Sequence, residues 1–159
     1  MIKRIGWMLA IALLVGQPLA ADDPGDPERA ARYRAQAMDY LDRPDRWYDA
    51  AVLLRRAAEE LDPATEDASR TMLFAGRVFA QAKSYPRAQS ALEAAGELAL
   101  ARGDLSHAAR AFVEAAHVAS VRGRSSEVGE LAERVRLITA SPLLSASEKS
   151  RLQGLVEAA

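Results

Sequence analysis

The sequence predicts an all-α protein of about seven antiparallel helices. Ala and Leu dominate its apolar residues, whereas only 6% of the 159 residues are aromatic. A core of small side chains is typical of closely packed helices rather than of sheets. Few windows alternate apolar and polar residues with a period of two, so no strand is expected. Short turns separate the helical segments, and such turns make sequential helices antiparallel.

The first 21 residues have the three parts of a secretory signal peptide. Lys3 and Arg4 form a cationic start, an apolar run follows over 5–15, and small residues precede a cleavage site after Ala20 or Ala21. The apolar run is about half of the ~20 residues that a membrane-spanning helix needs, although an uncleaved anchor is the alternative. We therefore expect a periplasmic or secreted protein.

Cysteine is absent from the sequence. Its absence excludes disulfides, thiolate catalysis, cysteine zinc sites, iron–sulfur clusters and a lipid-modified cysteine after the leader. Cleavage removes Lys3 and Arg4 and changes the formal net charge from −1 to −3. The mature chain is therefore not expected to bind nucleic acid or, once the leader is removed, a membrane.

The remainder of the chain divides into three parts. The predicted boundaries are an acidic tether over 22–26, helical repeats over 27–141 and a C-terminal capping helix over 142–159. A polar capping helix is what an open-ended helical array needs to remain soluble.

Asp and Pro delimit the first two helices. Asp26 can accept first-turn N–H groups and Pro27 is preorganised for the first helical position, so the first helix is predicted to run to about Asp42. Asp45 is expected to cap the second helix, which ends near Leu61.

The third helix is expected from about Thr65 to Lys83, and Ser84 is the expected cap of the fourth. Gly103 closes the fourth helix, because glycine readily adopts the left-handed conformation that ends helices. Asp104 is the predicted cap of the fifth.

Gly123 ends the fifth helix, and Ser125 or Ser126 is the predicted cap of the sixth. Ser145 and Glu148 have the spacing of a capping box, in which each side chain satisfies the other residue's free N–H. This pair opens the last helix.

A repeated pattern of small residues runs through residues 72–115. It has two copies, Gly76-xx-Phe79…Tyr85-xx-Ala88-xxx-Leu92-xx-Ala95 and Gly96-xx-Ala99…Gly103-Asp104-Leu105-xx-Ala108-xxx-Phe112-xx-Ala115. The pattern resembles the tetratricopeptide repeat, which implies a short right-handed superhelix of helical hairpins. A compact helical bundle is the alternative. Helices 1–2, 3–4 and 5–6 would form the pairs, although helices 4 and 5 fit the pattern equally well.

The resemblance also implies where a partner would bind. The first helix of each pair lines the concave groove in such superhelices, and the corresponding residues here are Arg32, Arg70, Leu73, Arg77, Arg110, Val113 and His117. Four arginines with two apolar residues between them would suit an extended peptide with acidic or C-terminal carboxylate groups. The Lys/Asn carboxylate clamp of some family members is not reproduced, and an ordinary solvated face is the alternative interpretation.

Residues for catalysis or metal binding are scarce. His107 and His117 are the only histidines, and ten residues of helix separate them by about 15 Å along the axis, so they do not share a metal ion. No Gly-x-Ser-x-Gly, phosphate-binding Gly-rich loop or His-Glu-x-x-His motif occurs. We therefore expect no cofactor, no metal and no enzymatic activity. The expected function is a protein- or peptide-binding adaptor, and a helical chaperone or envelope stress-response protein is the alternative.

Overall fold

The computed structural model describes residues 25–157, which fold entirely into helices and turns without a strand. This confirms the all-α prediction. The seven α-helices are α1 (Pro27–Leu41), α2 (Trp47–Glu59), α3 (Glu66–Gln81), α4 (Tyr85–Ala101), α5 (Leu105–Val121), α6 (Ser125–Thr139) and α7 (Ala146–Glu157). A 3-10 turn over Pro44–Arg46 precedes α2. The predicted signal peptide and most of the acidic tether lie outside the described residues.

Three of the predicted helix caps are confirmed by hydrogen bonds. The side chains of Asp26, Asp104 and Ser145 each accept a bond from the N–H three residues later, at 2.9, 3.0 and 3.3 Å. The N–H of Ser145 also donates to Glu148 Oε2 at 2.9 Å, which completes the capping box. Local sequence therefore determines where these helices begin.

Two other predicted caps were wrong. Asp45 lies inside the 3-10 turn, so Arg46 rather than Asp45 precedes α2. Ser125 is already the first residue of α6, and Arg124 occupies the capping position without a side-chain hydrogen bond. The turn before each helix sets its start here, and no capping side chain is used.

The turns α3–α4, α4–α5 and α5–α6 have one common geometry. Lys83, Gly103 and Gly123 adopt positive φ angles of 56°, 77° and 70°, at intervals of 20 residues. In each turn the following N–H bonds to the carbonyl five residues earlier, at 2.9–3.0 Å. These are Schellman motifs, which satisfy the last free carbonyls of a helix. The chain thus repeats one helix-and-turn unit three times.

Glycines bring the central helices into close contact. A Cβ atom on Gly76 of α3 would lie 2.7 Å from Leu92 Cγ on α4, and one on Gly96 of α4 would lie 2.7 Å from the ring of Phe112 on α5. Leu92 and Phe112 are both buried. Each contact joins residues that are 16 positions apart, so the same packing occurs at two successive interfaces.

Side chains also link alternate helices, which places the odd-numbered helices in one layer and the even-numbered helices in another. Arg34 of α1 pairs with Asp67 of α3 at 2.8 Å. In the other layer, Gln89 Nε2 of α4 donates to Glu127 Oε2 of α6 at 2.8 Å. The last helix, α7, makes its main contact with α5 and so extends the odd layer.

One type of link recurs after 20 residues. Arg102, at the end of α4, donates to Ser69 Oγ of α3 at 2.8 Å. Arg122, at the end of α5, donates to Gln89 Oε1 of α4. Ser69 and Gln89 are both buried, so each arginine satisfies a polar group inside the array.

No helix within residues 25–157 has the length and apolar character that crossing a membrane requires.

Candidate functional site

The seven groove residues predicted from the sequence all lie on α1, α3 and α5, in the odd layer. The two apolar ones, Leu73 and Val113, are only 6% and 8% exposed and belong to the hydrophobic core. Their side chains therefore hold the helices together and present almost no surface. A partner at this face would meet mainly the five polar residues.

Arg77 is engaged within the protein. Its Nε donates to Glu114 Oε2 of α5 at 2.7 Å, and a second guanidinium nitrogen bonds to the other carboxylate oxygen. The hydrogen bond with Glu114 raises the pKa of Arg77 above its ordinary value. Such a two-point bond between a guanidinium and a carboxylate fixes geometry as well as charge. Arg77 therefore joins α3 to α5 and is less available to a partner than the sequence suggests.

The remaining basic residues of the face are exposed. Arg32, Arg70 and Arg110 are exposed in the second turns of α1, α3 and α5, and His117 is exposed further along α5. Arg70 pairs with Glu66 one turn earlier on its own helix. Arg110 approaches the Glu114 carboxylate at 3.4 Å, so Glu114 serves two arginines.

A cavity of about 390 Å³ lies where α3, α5 and α7 meet. Its charged and titratable lining residues are Glu66 and Arg70 of α3, the capping residue Asp104, His107 and Arg110 of α5, and Arg151 of α7. Two of these, Arg70 and Arg110, were predicted from the sequence as groove residues. Sequence reasoning missed Arg151, because no local signal shows that α7 folds back against α5.

His107 is the unusual member of this cavity. Its Nε2 is buried and has no hydrogen-bond partner among the described residues. Burial lowers the pKa of His107 below its ordinary value of 6.5; Asp104 opposes this, and the nearby cations Arg102, Arg70 and Arg110 reinforce it. The imidazole is therefore neutral at pH 7.

A second depression, of about 620 Å³, is lined by Pro63, Ala64, Leu98, Ala101 and Arg102. Its one charged residue, Arg102, already donates to the carbonyl oxygen of Thr65 at 2.7 Å and to Ser69. Binding sites need convergent polar groups to orient a ligand. The depression lacks these groups, so the cavity beside His107 is the better candidate.

Residues 25–157 contain no group of three or more His, Asp or Glu side chains placed to hold a metal ion. Comparison of the chain with known proteins gave no match to a protein-family model, a curated protein or a solved structure. Function is therefore inferred from the residues and geometry of the odd layer.

Proposed function

We propose that this protein is a non-enzymatic adaptor that binds a protein or peptide partner across α1, α3 and α5. The row of exposed arginines, Arg32, Arg70 and Arg110, carries the proposal, because an exposed cation recurs in the second turn of α1, α3 and α5. A guanidinium presents several N–H donors in a fixed plane that matches a carboxylate. Acidic side chains or a C-terminal carboxylate on an extended partner would pair with this row.

The proposal includes export and a tetratricopeptide-like arrangement of helical hairpins. The cationic start, apolar run and small residues of 1–21 support export to the periplasm. The linked alternate helices and the recurring turns support a stacked array. A stacked array suits an adaptor, because it presents the same face of several helices along one extended surface.

Neutralising the arginine row tests the adaptor proposal. The double variant Arg32→Gln with Arg70→Gln removes two exposed cations and leaves the Arg77–Glu114 link intact. We expect at least a tenfold loss of affinity, about 1.4 kcal/mol or more, for a partner identified by crosslinking in intact cells and mass spectrometry. The melting temperature should change little, because substitutions of exposed residues usually alter stability by less than about 0.5 kcal/mol.

The matched control removes two arginines from the other layer. Arg55 and Arg56 are exposed on α2, and Arg55→Gln with Arg56→Gln lowers the net charge by the same amount. This control should bind the partner as tightly as the wild-type protein. Equal binding by both double variants would refute the proposed face.

Exposed apolar residues favour one alternative function, a chaperone for unfolded proteins. Leu143, Leu137 and Val121 are 83%, 59% and 54% exposed. A chaperone would suppress aggregation of several unrelated clients, and Leu137→Ser with Leu143→Ser would abolish the suppression. Suppression that survives this double change but is lost with the arginine row would instead support the adaptor.

A further inference from the structure

The cavity between α3, α5 and α7 contains more cations than its carboxylates can neutralise. Three arginines line it, Arg70, Arg110 and Arg151, against two carboxylates, Glu66 and Asp104. The three arginines come from three different helices, so their convergence is a product of the tertiary fold.

Both carboxylates already have partners. Glu66 pairs with Arg70 on the same helix. Asp104 uses one oxygen to cap α5, at 3.0 Å from the N–H of His107, and the other to accept a bond from Arg102 at 3.2 Å. Neither carboxylate is thus left to neutralise Arg110 or Arg151.

The two remaining arginines are poorly compensated. Arg110 shares the carboxylate of Glu114 with Arg77, which makes the shorter bond to it. Arg151 forms no direct hydrogen bond or ion pair with residues 25–154, although its positive charge helps to lower the pKa of Glu148 one turn earlier on α7. The neutral, partly buried His107 adds a hydrogen-bonding group to the same cavity without adding charge.

The size of the cavity indicates the kind of ligand. Ligand pockets in proteins have volumes of roughly 300–1,000 Å³, and this cavity has about 390 Å³. It therefore accommodates a small organic molecule rather than a bare ion alone. The surplus of guanidinium groups selects an anionic one, because arginine donates two parallel bonds to carboxylates and phosphates.

We propose that this cavity binds a small organic oxyanion, a carboxylate or a phosphate ester, through the guanidinium groups of Arg70, Arg110 and Arg151. Arg151 lies on α7 next to Leu152, which is buried in the core. An anion that bridges α5 and α7 therefore also holds α7 in place. The site goes beyond the adaptor role, since its ligand is a small molecule and one of its walls is the C-terminal helix.

Titration of the full mature chain at low ionic strength and pH 7 tests the site. The probes are inorganic phosphate, glycerol 3-phosphate and succinate, which separate the bare ion, the phosphate ester and the organic carboxylate. We expect saturable one-to-one binding of at least one organic probe, tighter than that of inorganic phosphate, measured by calorimetry. The ring resonances of His107 should shift with the same saturation, and amide exchange in α7 should slow.

Arg151→Gln should weaken this binding at least tenfold, because it removes one of the three guanidinium groups that line the cavity. Gln has nearly the same helix propensity as Arg, so α7 remains helical. The control Arg55→Gln on α2 should bind like the wild-type protein. If Arg151→Gln loosens α7, Arg110→Gln on α5 decides, and it too must weaken binding.

Absence of saturable binding by every probe would overturn the site, as would wild-type affinity in both Arg151→Gln and Arg110→Gln. Arg151 is not part of the arginine row, so its loss should leave capture of a protein partner unchanged. Failure of the cavity proposal is thereby distinguishable from failure of the adaptor proposal.

Discussion

Two glycines set how closely the central helices approach one another. At Gly76 and Gly96 the space that a side chain would fill is occupied by Leu92 and Phe112 of the next helix. Glycine in the middle of a helix costs roughly 1 kcal/mol relative to alanine. This cost is offset here because the bare backbone admits a large buried side chain from the neighbouring helix.

The contact at Gly96 predicts an unusual effect of Gly96→Ala. The new methyl group would lie 2.7 Å from the Phe112 ring, which is fully buried and has little room to move. Overpacking of this kind typically costs about 1–3 kcal/mol, which outweighs the gain in helix propensity. We therefore expect urea unfolding to show a net loss of stability of about 1 kcal/mol or more.

Gly129 provides the matched control. It lies in α6, and apart from its chain neighbours and its own helix backbone no atom lies within 4 Å of the position that its Cβ would take. Gly129→Ala should raise stability by about 0.5–1 kcal/mol through helix propensity alone. If both variants shift stability in the same direction, the close helix contact at Gly96 is not what requires glycine.

At the scale of elements, the three Schellman turns define a unit of 20 residues. Two of them use glycine at the left-handed position, whereas the first uses Lys83 with φ of 56°. A non-glycine residue in this conformation is strained by roughly 1–2 kcal/mol. The turn is retained because it satisfies the last carbonyls of α3 and directs the chain into α4.

Substitutions at the left-handed positions of two equivalent turns should therefore change stability in opposite directions. Lys83→Gly should stabilise the protein by about 0.5–1 kcal/mol, since relief of strain exceeds the added entropy of the unfolded chain. Gly103→Ala should destabilise it by about 1 kcal/mol for the converse reason. Thermal and urea unfolding measure both, and a stability loss in Lys83→Gly would contradict the inferred strain.

Helix starts were predictable from the sequence where the signal is local. Asp26, Asp104 and Ser145 each bond to an N–H three residues away, so the local sequence contains both partners of the cap.

The pairing of helices was not predictable, because α3, α4 and α5 carry small residues at the same places. Ala68, Ala88 and Ala108 correspond, as do Ala75, Ala95 and Ala115. Each helix is therefore an equally good neighbour for the next.

The candidate site was predictable only in part, for a related reason. Exposed cations at Arg70 and Arg110 follow from helix periodicity within α3 and α5. The bond from Arg77 to Glu114 spans 37 residues, and the approach of Arg151 depends on how α7 packs. Both depend on tertiary contacts, which the sequence of a single helix does not predict.

At the scale of the whole molecule, the helices of residues 25–157 contact mainly their sequence neighbours. Each helix from α1 to α6 packs most extensively against its sequence neighbours, and α1 makes its main helix contact with α2. In a closed bundle the first and last helices would share a common core with the others. In a series of nearest neighbours, stability is a sum of local terms, and an end can unfold without the centre.

Native-state hydrogen exchange distinguishes helices that unfold locally from a single cooperative bundle. Leu131 of α6 is 4% exposed and Phe112 of α5 is fully buried, so Leu131→Ala should cost about 2–5 kcal/mol and Phe112→Ala about 3–5 kcal/mol. In native-state hydrogen exchange, Leu131→Ala should accelerate exchange in α6 more than in α3, because the terminal unit opens by itself. Phe112→Ala should accelerate amide exchange in α3, α4 and α5 together, because it removes the side chain that fills the space beside Gly96. Equal acceleration of all helices after Leu131→Ala would mean that the protein unfolds as one cooperative bundle, and the repeat-like array would then describe its contacts but not its energetics.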